Sequence, residues 1–379
     1  MLIVELGLVI LGLSVLARLA LRIGIPPIPL YVIAGLAFGD GGLLPLVTTQ
    51  EFIRIGAEIG LILLLFMLGL EYPARKLIGT LKHAPRSGGL NIALNFTPGF
   101  VAGLLMGWAP LPAAFLGGAT YVSSSGVAAR LIEDLRIGQE ERTPIVSTLI
   151  LEDLAMAMFL PTIGAFLIGG SAAGSLMIAV SAVAIVILLL LFALRAGTGV
   201  SRLVFANADE PLLLSILGFG LLIAGIAEVG QVSAAVGALV AGIVISGPAA
   251  QNVRPLLSPI RDLFAAIFFA FVGFSIDPGQ IPGALPVALL LAGITGATKF
   301  VAGWKAAEWA GVPWPRRSIV GATLLARGEF SLAIAGLAVA ARVRPNPAPI
   351  IATYVVIMAL IGPVVARIVS IRVQRAEAD

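Results

Sequence analysis

Residues 146–161 read VSTLILEDLAMAMFLP, and two adjacent carboxylates, Glu152 and Asp153, stand in the middle of this otherwise apolar run. A charge at the centre of a bilayer costs at least ~2.5–3.5 kcal/mol on insertion scales, so such residues line a pathway or pair with one another. Whether that cost applies depends on the run crossing a membrane, and the whole chain is composed for crossing. Of 379 residues, 59% are hydrophobic and only 12% charged, against roughly 25% charged in soluble proteins. The mean hydropathy is +1.07. Apolar stretches of the ~20 residues needed to span a bilayer recur from end to end. A soluble or disordered protein is excluded; the fold class predicted is an all-α polytopic membrane protein embedded in the lipid bilayer.

Breaks of charge, proline and glycine divide the chain into about thirteen predicted helices, at 2–22, 27–43, 52–71, 88–108, 111–135, 144–169, 173–195, 210–229, 233–247, 256–277, 285–310, 317–342 and 348–369. Residues 2–22 lack a small-residue cleavage site and read as a retained first span. Basic residues collect after odd-numbered spans: Arg22; Arg75, Lys76, Lys82 and Arg86; Arg136 and Arg142; Arg195 and Arg202; Arg316 and Arg317; then Arg367, Arg372 and Arg375. Arg342 and Arg344 are the exception. The positive-inside rule then puts the N-terminus outside and the C-terminus in the cytoplasm of a cell inner or plasma membrane. The net charge of +4 and pI of about 9.8 come from these loops and do not call for a nucleic-acid partner. Without cysteine, and with His83 as the single histidine, the chain offers no disulfide, thiolate or histidine-rich metal centre, and a serine–histidine triad is disfavoured.

A faint repeat organises the spans. YVIAGLAFG at 31–39 resembles ALVAGIVIS, which begins 207 residues later at 238. LFMLGLEYP at 65–73 resembles FAFVGFSIDP at 269–278, with Gly69 and Gly273 204 residues apart. Seven helices separate the copies, so the second lies inverted in the membrane. The predicted organisation is one transmembrane domain over 1–379, with inverted repeats at about 2–169 and 210–369 and a linker helix at 173–195. Inverted repeats with a site at the midplane are a secondary-transporter architecture.

Each copy carries an interrupted helix at the same offset. GATYVSSSGVAAR at 118–130 places Thr120, Ser123, Ser124, Ser125 and Gly126 inside the fifth span, and LLARGEFSLA at 324–333 places Arg327, Gly328 and Glu329 inside the twelfth. Broken helices expose carbonyls and half-helix dipoles that stabilise ions near the midplane. Lys299, in LAGITGATKFVAG at 291–303, is a further charge in mid-span. Two adjacent carboxylates titrate as a coupled pair, which suits proton exchange. Arg327 and Glu329, two positions apart, point to opposite helix faces and are not expected to pair. Glu71 and Asp277 end helices, Arg261 and Asp262 read as a capping pair, and Lys305 with Glu308 lies at a helix end. Glu133, Asp134, Glu140 and Glu141 read as solvated, and Glu5, Glu58 and Glu228 are unassigned.

These residues resemble the monovalent cation:proton antiporter-2 family, which includes bacterial sodium–proton antiporters and the membrane domains of Kef-type potassium efflux systems. The resemblance covers essentially the whole chain and rests on Glu152–Asp153, the serine-rich break at 120–126, Lys299, ARGEF at 326–330 and LFMLGLE at 65–71. It implies thirteen helices, a dimerisation domain, a mobile core domain with two crossed discontinuous helices, and a homodimer. It implies that Asp153 binds the proton or the cation, Na⁺ or K⁺, and that Lys299 can pair with Asp153; release of the Lys299 proton when the cation draws Asp153 away would make exchange electrogenic. Glu152 departs from the Asp, Gln or Asn of other members. The function implied is antiport of a monovalent cation against H⁺, with no cofactor beyond the transported ions and no enzymatic activity. No cytoplasmic nucleotide-binding domain is expected, so ligand gating would need a separate regulatory subunit. An inverted-repeat solute symporter and a cation channel are the alternatives; the acidic pair argues against anionic solutes, and no repeated filter motif is present.

Overall fold

The computed structural model describes residues 2–23, 26–39, 50–71, 85–168, 208–229, 234–245 and 248–378. Their α-helices, in chain order, are α1 (Leu2–Ile23), α2 (Ile28–Phe38), α3 (Gln50–Glu71), α4 (Pro85–Leu105), α5 (Pro110–Tyr121), α6 (Ser125–Asp134), α7 (Gln139–Ile168), α8 (Asp209–Val229), α9 (Ala234–Ile245), α10 (Pro248–Phe274), α11 (Ile281–Trp309), α12 (Trp314–Thr323), α13 (Glu329–Ala340) and α14 (Ala348–Ala378). No strand occurs among the described residues. The fourteen helices supply twelve of the thirteen predicted spans, because the fifth span is split into α5 and α6 and the twelfth into α12 and α13. The predicted linker helix at 173–195, and the loops carrying Lys76, Lys82, His83, Arg195 and Arg202, lie outside the described residues. Six of the helices, α4, α7, α8, α10, α11 and α14, each hold a stretch long and apolar enough to cross a membrane. The protein is a polytopic membrane protein.

Some predicted boundaries need correction: the thirteenth span, expected to end at 369, runs on to Ala378. The tenth span was expected to start at 256, with Arg261 and Asp262 capping it, but α10 starts at Pro248 and carries Pro255 and Pro259 inside it. Proline in a helix interior removes a hydrogen bond and normally breaks the helix, so these two residues look like a boundary in the sequence. Arg261 and Asp262 therefore lie mid-helix, joined by a 2.7 Å ion pair.

The helices fall into two units. The first comprises Met1–Gln50, Ala84–Asp153 and Phe269–Asp379. Its buried centre includes Ala128, Ile132, Ile145, Leu149, Ala307 and Val320, drawn from α6, α7, α11 and α12, with Leu324 just past α12. Small residues bring its backbones together, as in other membrane helices. A Cβ on Gly35 of α2 would strike the carbonyl oxygen of Ala270, and one on Gly273 would strike that of Val32. The second unit comprises Glu51–His83 and Leu154–Phe268. Phe66, Leu70, Ile216, Ala224, Ala241, Val253 and Leu257 form its core, and Arg254 Nη2 donates to the carbonyl of Leu70 at 3.0 Å. The two broken helices, with Glu152, Asp153, Lys299, Arg327 and Glu329, belong to the first unit.

Candidate ion-binding site

Hydroxyl and glycine residues create the two breaks. After Tyr121 the chain turns extended at Val122, and Ser124, also extended, caps α6 by accepting a hydrogen bond from Val127 N at 3.3 Å. Such side-chain caps satisfy N–H groups that have no partner within the helix. The second break runs from Leu324 to Gly328, where α13 begins. The breaks lie directly against each other. Ser124 N donates to Ala326 O at 2.8 Å, Ser123 Oγ to Leu324 O at 2.8 Å, and Ser331 Oγ to Ala119 O at 2.8 Å. Gly328 permits this approach: a Cβ there would sit 2.6 Å from Ser124 Oγ.

Charges then settle onto the exposed helix ends, following the macrodipole. Lys299 Nζ donates to Tyr121 O, at the C-terminal end of α5, at 2.7 Å. Arg327 Nη1 donates to the carbonyls of Leu324 and Leu325, past the C-terminal end of α12, both at 3.1 Å. At the N-terminal end of α6, Glu329 accepts from Ser124 Oγ at 2.6 Å and from Gly126 N at 3.3 Å. Arg327 and Glu329 thus serve different helix ends, in keeping with their opposite faces.

Glu152 and Asp153 occupy distinct environments. Glu152 is fully buried, and its Oε1 accepts from both Lys299 Nζ and Asn91 Nδ2 at 2.7 Å. Its Oε2 accepts from Ser123 N at 2.6 Å. Asp153, 2% exposed, accepts from Ser125 Oγ at 3.2 Å. The resemblance implied that Lys299 pairs with Asp153; its ion pair is instead with Glu152. Adjacent residues on a helix point about 100° apart, and the turn of α7 aims Glu152 toward α4 and α11. Thr120, expected in the cavity, donates to Asn95 O at 2.9 Å and Gly117 O at 3.0 Å, and so ties α5 to α4.

The sequence reading passed over a buried amide pair. Asn95 Nδ2 donates to Asn91 Oδ1 at 2.8 Å, and Asn91 Oδ1 also accepts from Lys299 at 3.1 Å. Their signal was Asn-x-x-x-Asn in the fourth span, the i,i+4 spacing that puts both on one helix face. Tyr354 was missed too; its hydroxyl accepts from Arg327 Nε at 3.0 Å and lies 2.8 Å from Thr295 Oγ1. Away from this cluster other charges pair, and Glu141, expected in solvent, is buried at 3% exposure. Lys305 and Arg317 meet Glu308 at 2.7 and 2.8 Å, and Arg316 meets Glu141 at 3.3 Å.

The family description "Sodium/hydrogen exchanger, transmembrane" matches residues 8–371. The chain is 30% identical to the K(+)/H(+) antiporter subunit KhtU of Bacillus subtilis (strain 168), over 97% of this chain and 93% of that protein. It is 27% identical to the ammonium/H(+) antiporter subunit AmhT of Alkalihalophilus pseudofirmus, over 88% and 85%. Its identity to the Na(+)/H(+)-K(+) antiporter GerN of Bacillus cereus is 26%, over 88% and 86%. Its fold is that of the sodium proton antiporter MjNhaP1 from Methanocaldococcus jannaschii at pH 8, with a TM-score of 0.72, 18% identity and coverage of 97% and 95%. With crossed half-helices, buried counter-charges and a match over nearly its whole length, the chain belongs to the sodium/hydrogen exchanger family.

Proposed function

We propose that this protein exchanges a monovalent cation, Na⁺ or K⁺, for H⁺, the two ions competing for Asp153. A carboxylate among hydroxyls and carbonyls holds a proton or a small hard cation, and protonation removes the charge that attracts the cation. Exchange follows if the site changes sides only when occupied. The observation that carries this reading is the division of labour within the carboxylate pair. Glu152 is committed to Lys299, Asn91 and Ser123 N, whereas Asp153 lies beside Ser125 at the mouth of a half-helix. Lys299 is held on Glu152 and not on Asp153. Three carboxylates, Glu152, Asp153 and Glu329, stand with two cations, Lys299 and Arg327, so one proton or one cation neutralises the cluster. That balance supports one-for-one exchange without net charge movement.

The protein is read as a homodimer in a cell inner or plasma membrane, N-terminus outside, with a core that shifts against the dimerising part. It is read as two inverted repeats; the contacts between breaks join residues 201 to 212 positions apart, close to the repeat offset. Relatives named as subunits favour a separate regulatory partner. The test is cation-induced proton movement in vesicles containing the purified protein, with Na⁺, K⁺ and Li⁺ supplied in turn. Proton release driven by Na⁺ or K⁺ supports antiport; none with any cation refutes it.

A further inference from the structure

Glu329 belongs to the second broken helix, yet its hydrogen bonds to Ser124 and Gly126 hold the first. Ser124 Oγ, 2.6 Å from Oε2, is the cap of α6, and Gly126 N, 3.3 Å from Oε1, lies in its first turn. Between them stands Ser125, whose hydroxyl meets Asp153. Glu329 therefore grips the residues on either side of the one that touches the exchange carboxylate. Gly328 and Ser124 approach too closely for a Cβ, so the grip is short and leaves little play. A cavity of about 170 Å³ reaches this place, lined by Ser124, Gly126 and Glu329 at one part and by Arg130, Asp134 and Arg367 at another. Arg367 and Asp134, both roughly half exposed, pair there at 3.6 Å.

We infer that Glu329 is a positioning residue that sets the cation affinity of the Asp153 site by fixing the Ser124–Gly126 turn. This rests on the reading of Asp153 as the exchange carboxylate. Without the grip, Ser125 is free to turn from Asp153, and a bound cation loses a ligand that a proton does not need. Affinity for the cation falls while the maximal rate, governed by the site once filled, is retained. The competing cause is simple attraction of cations by the negative charge, and the choice of variants separates the two. Glu329→Gln removes the charge, whereas Glu329→Asp keeps it but is one methylene too short to reach both Ser124 and Gly126.

The experiment is proton movement in proteoliposomes of the full chain against cation concentration, for the wild type, Glu329→Gln, Glu329→Asp, Ser124→Ala and the interface control Glu308→Gln. Because hydrogen bonds to a charged group contribute the most, half-saturation should rise about tenfold in Glu329→Gln, with a maximal rate within about twofold of wild type. Glu329→Asp and Ser124→Ala should rise in the same direction, and Glu308→Gln should not. Unchanged half-saturation in Glu329→Gln overturns the inference, as does wild-type behaviour in Glu329→Asp, which would assign the effect to charge alone. If Glu329→Gln does not fold, Ser124→Ala decides: unchanged half-saturation there overturns it. Asp153→Asn, run alongside, tests the underlying assignment separately, since exchange surviving in that variant refutes the role of Asp153 whatever Glu329 does.

Discussion

Lys299 Nζ lies 2.7 Å from Glu152 Oε1, and neither side chain is exposed. Removing one partner of a buried pair leaves an uncompensated charge and costs about 3–5 kcal/mol, whereas replacing both is often neutral. Glu152→Gln and Lys299→Gln should each lower the unfolding temperature of the purified protein, and the double variant should recover most of the loss. Equal and additive losses would mean that the two residues contribute independently.

If the pair stays closed during transport, the exchange moves no net charge. Net transfer of one charge across 100 mV is worth about 2.3 kcal/mol, more than a tenfold shift in equilibrium. The cation gradient that balances a given pH gradient in proteoliposomes should therefore not move when a membrane potential is imposed. A shift of that size would mean unequal stoichiometry.

Gly328 should tolerate no side chain. Its backbone is extended, at φ −168°, so the obstacle is Ser124, 2.6 Å from a Cβ at Oγ and 2.9 Å at Cβ. Overpacking of this kind costs about 1–3 kcal/mol. Thermal unfolding should show that loss in Gly328→Ala, while Gly296→Ala, whose Cβ would meet only Met358 Cε at 3.9 Å, should be neutral or slightly stabilising. Similar unfolding temperatures for the two would show that the breaks can separate at no cost.

Orientation is testable because the chain has no native cysteine. A cysteine replacing Arg372, on the last turns of α14, should resist impermeant thiol reagents in intact cells and react after permeabilisation. Ready labelling in intact cells would reverse the orientation drawn from the positive-inside rule.

The sequence disclosed the breaks because their causes are local. Hydroxyls in a row at Ser123–Ser125, and Arg-Gly-Glu in mid-span, interrupt an apolar helix wherever it packs. Partner choice is not local. Glu152 and Lys299 are 147 positions apart, and which of two adjacent carboxylates meets the lysine depends on how α7 turns against α4 and α11. Asn91 and Asn95 escaped notice because an amide costs less to bury than a charge, so a reading weighted by charge passes over them. The start of α10 was misplaced because Pro255 and Pro259 resemble a boundary, although the helix continues through both. Thr120 sits beside the break in sequence, yet its hydroxyl is taken by α4.

Asp153→Asn tests antiport most directly. The substitution keeps the size and the hydrogen bond to Ser125 but removes both the charge and the proton-binding group. Cation-induced proton movement should be measured across pH in proteoliposomes of the wild type and the variant, with Na⁺ and K⁺ supplied separately. Competition of the two ions for Asp153 predicts exchange in the wild type and none in Asp153→Asn at any pH; wild-type-like exchange in the variant would contradict it.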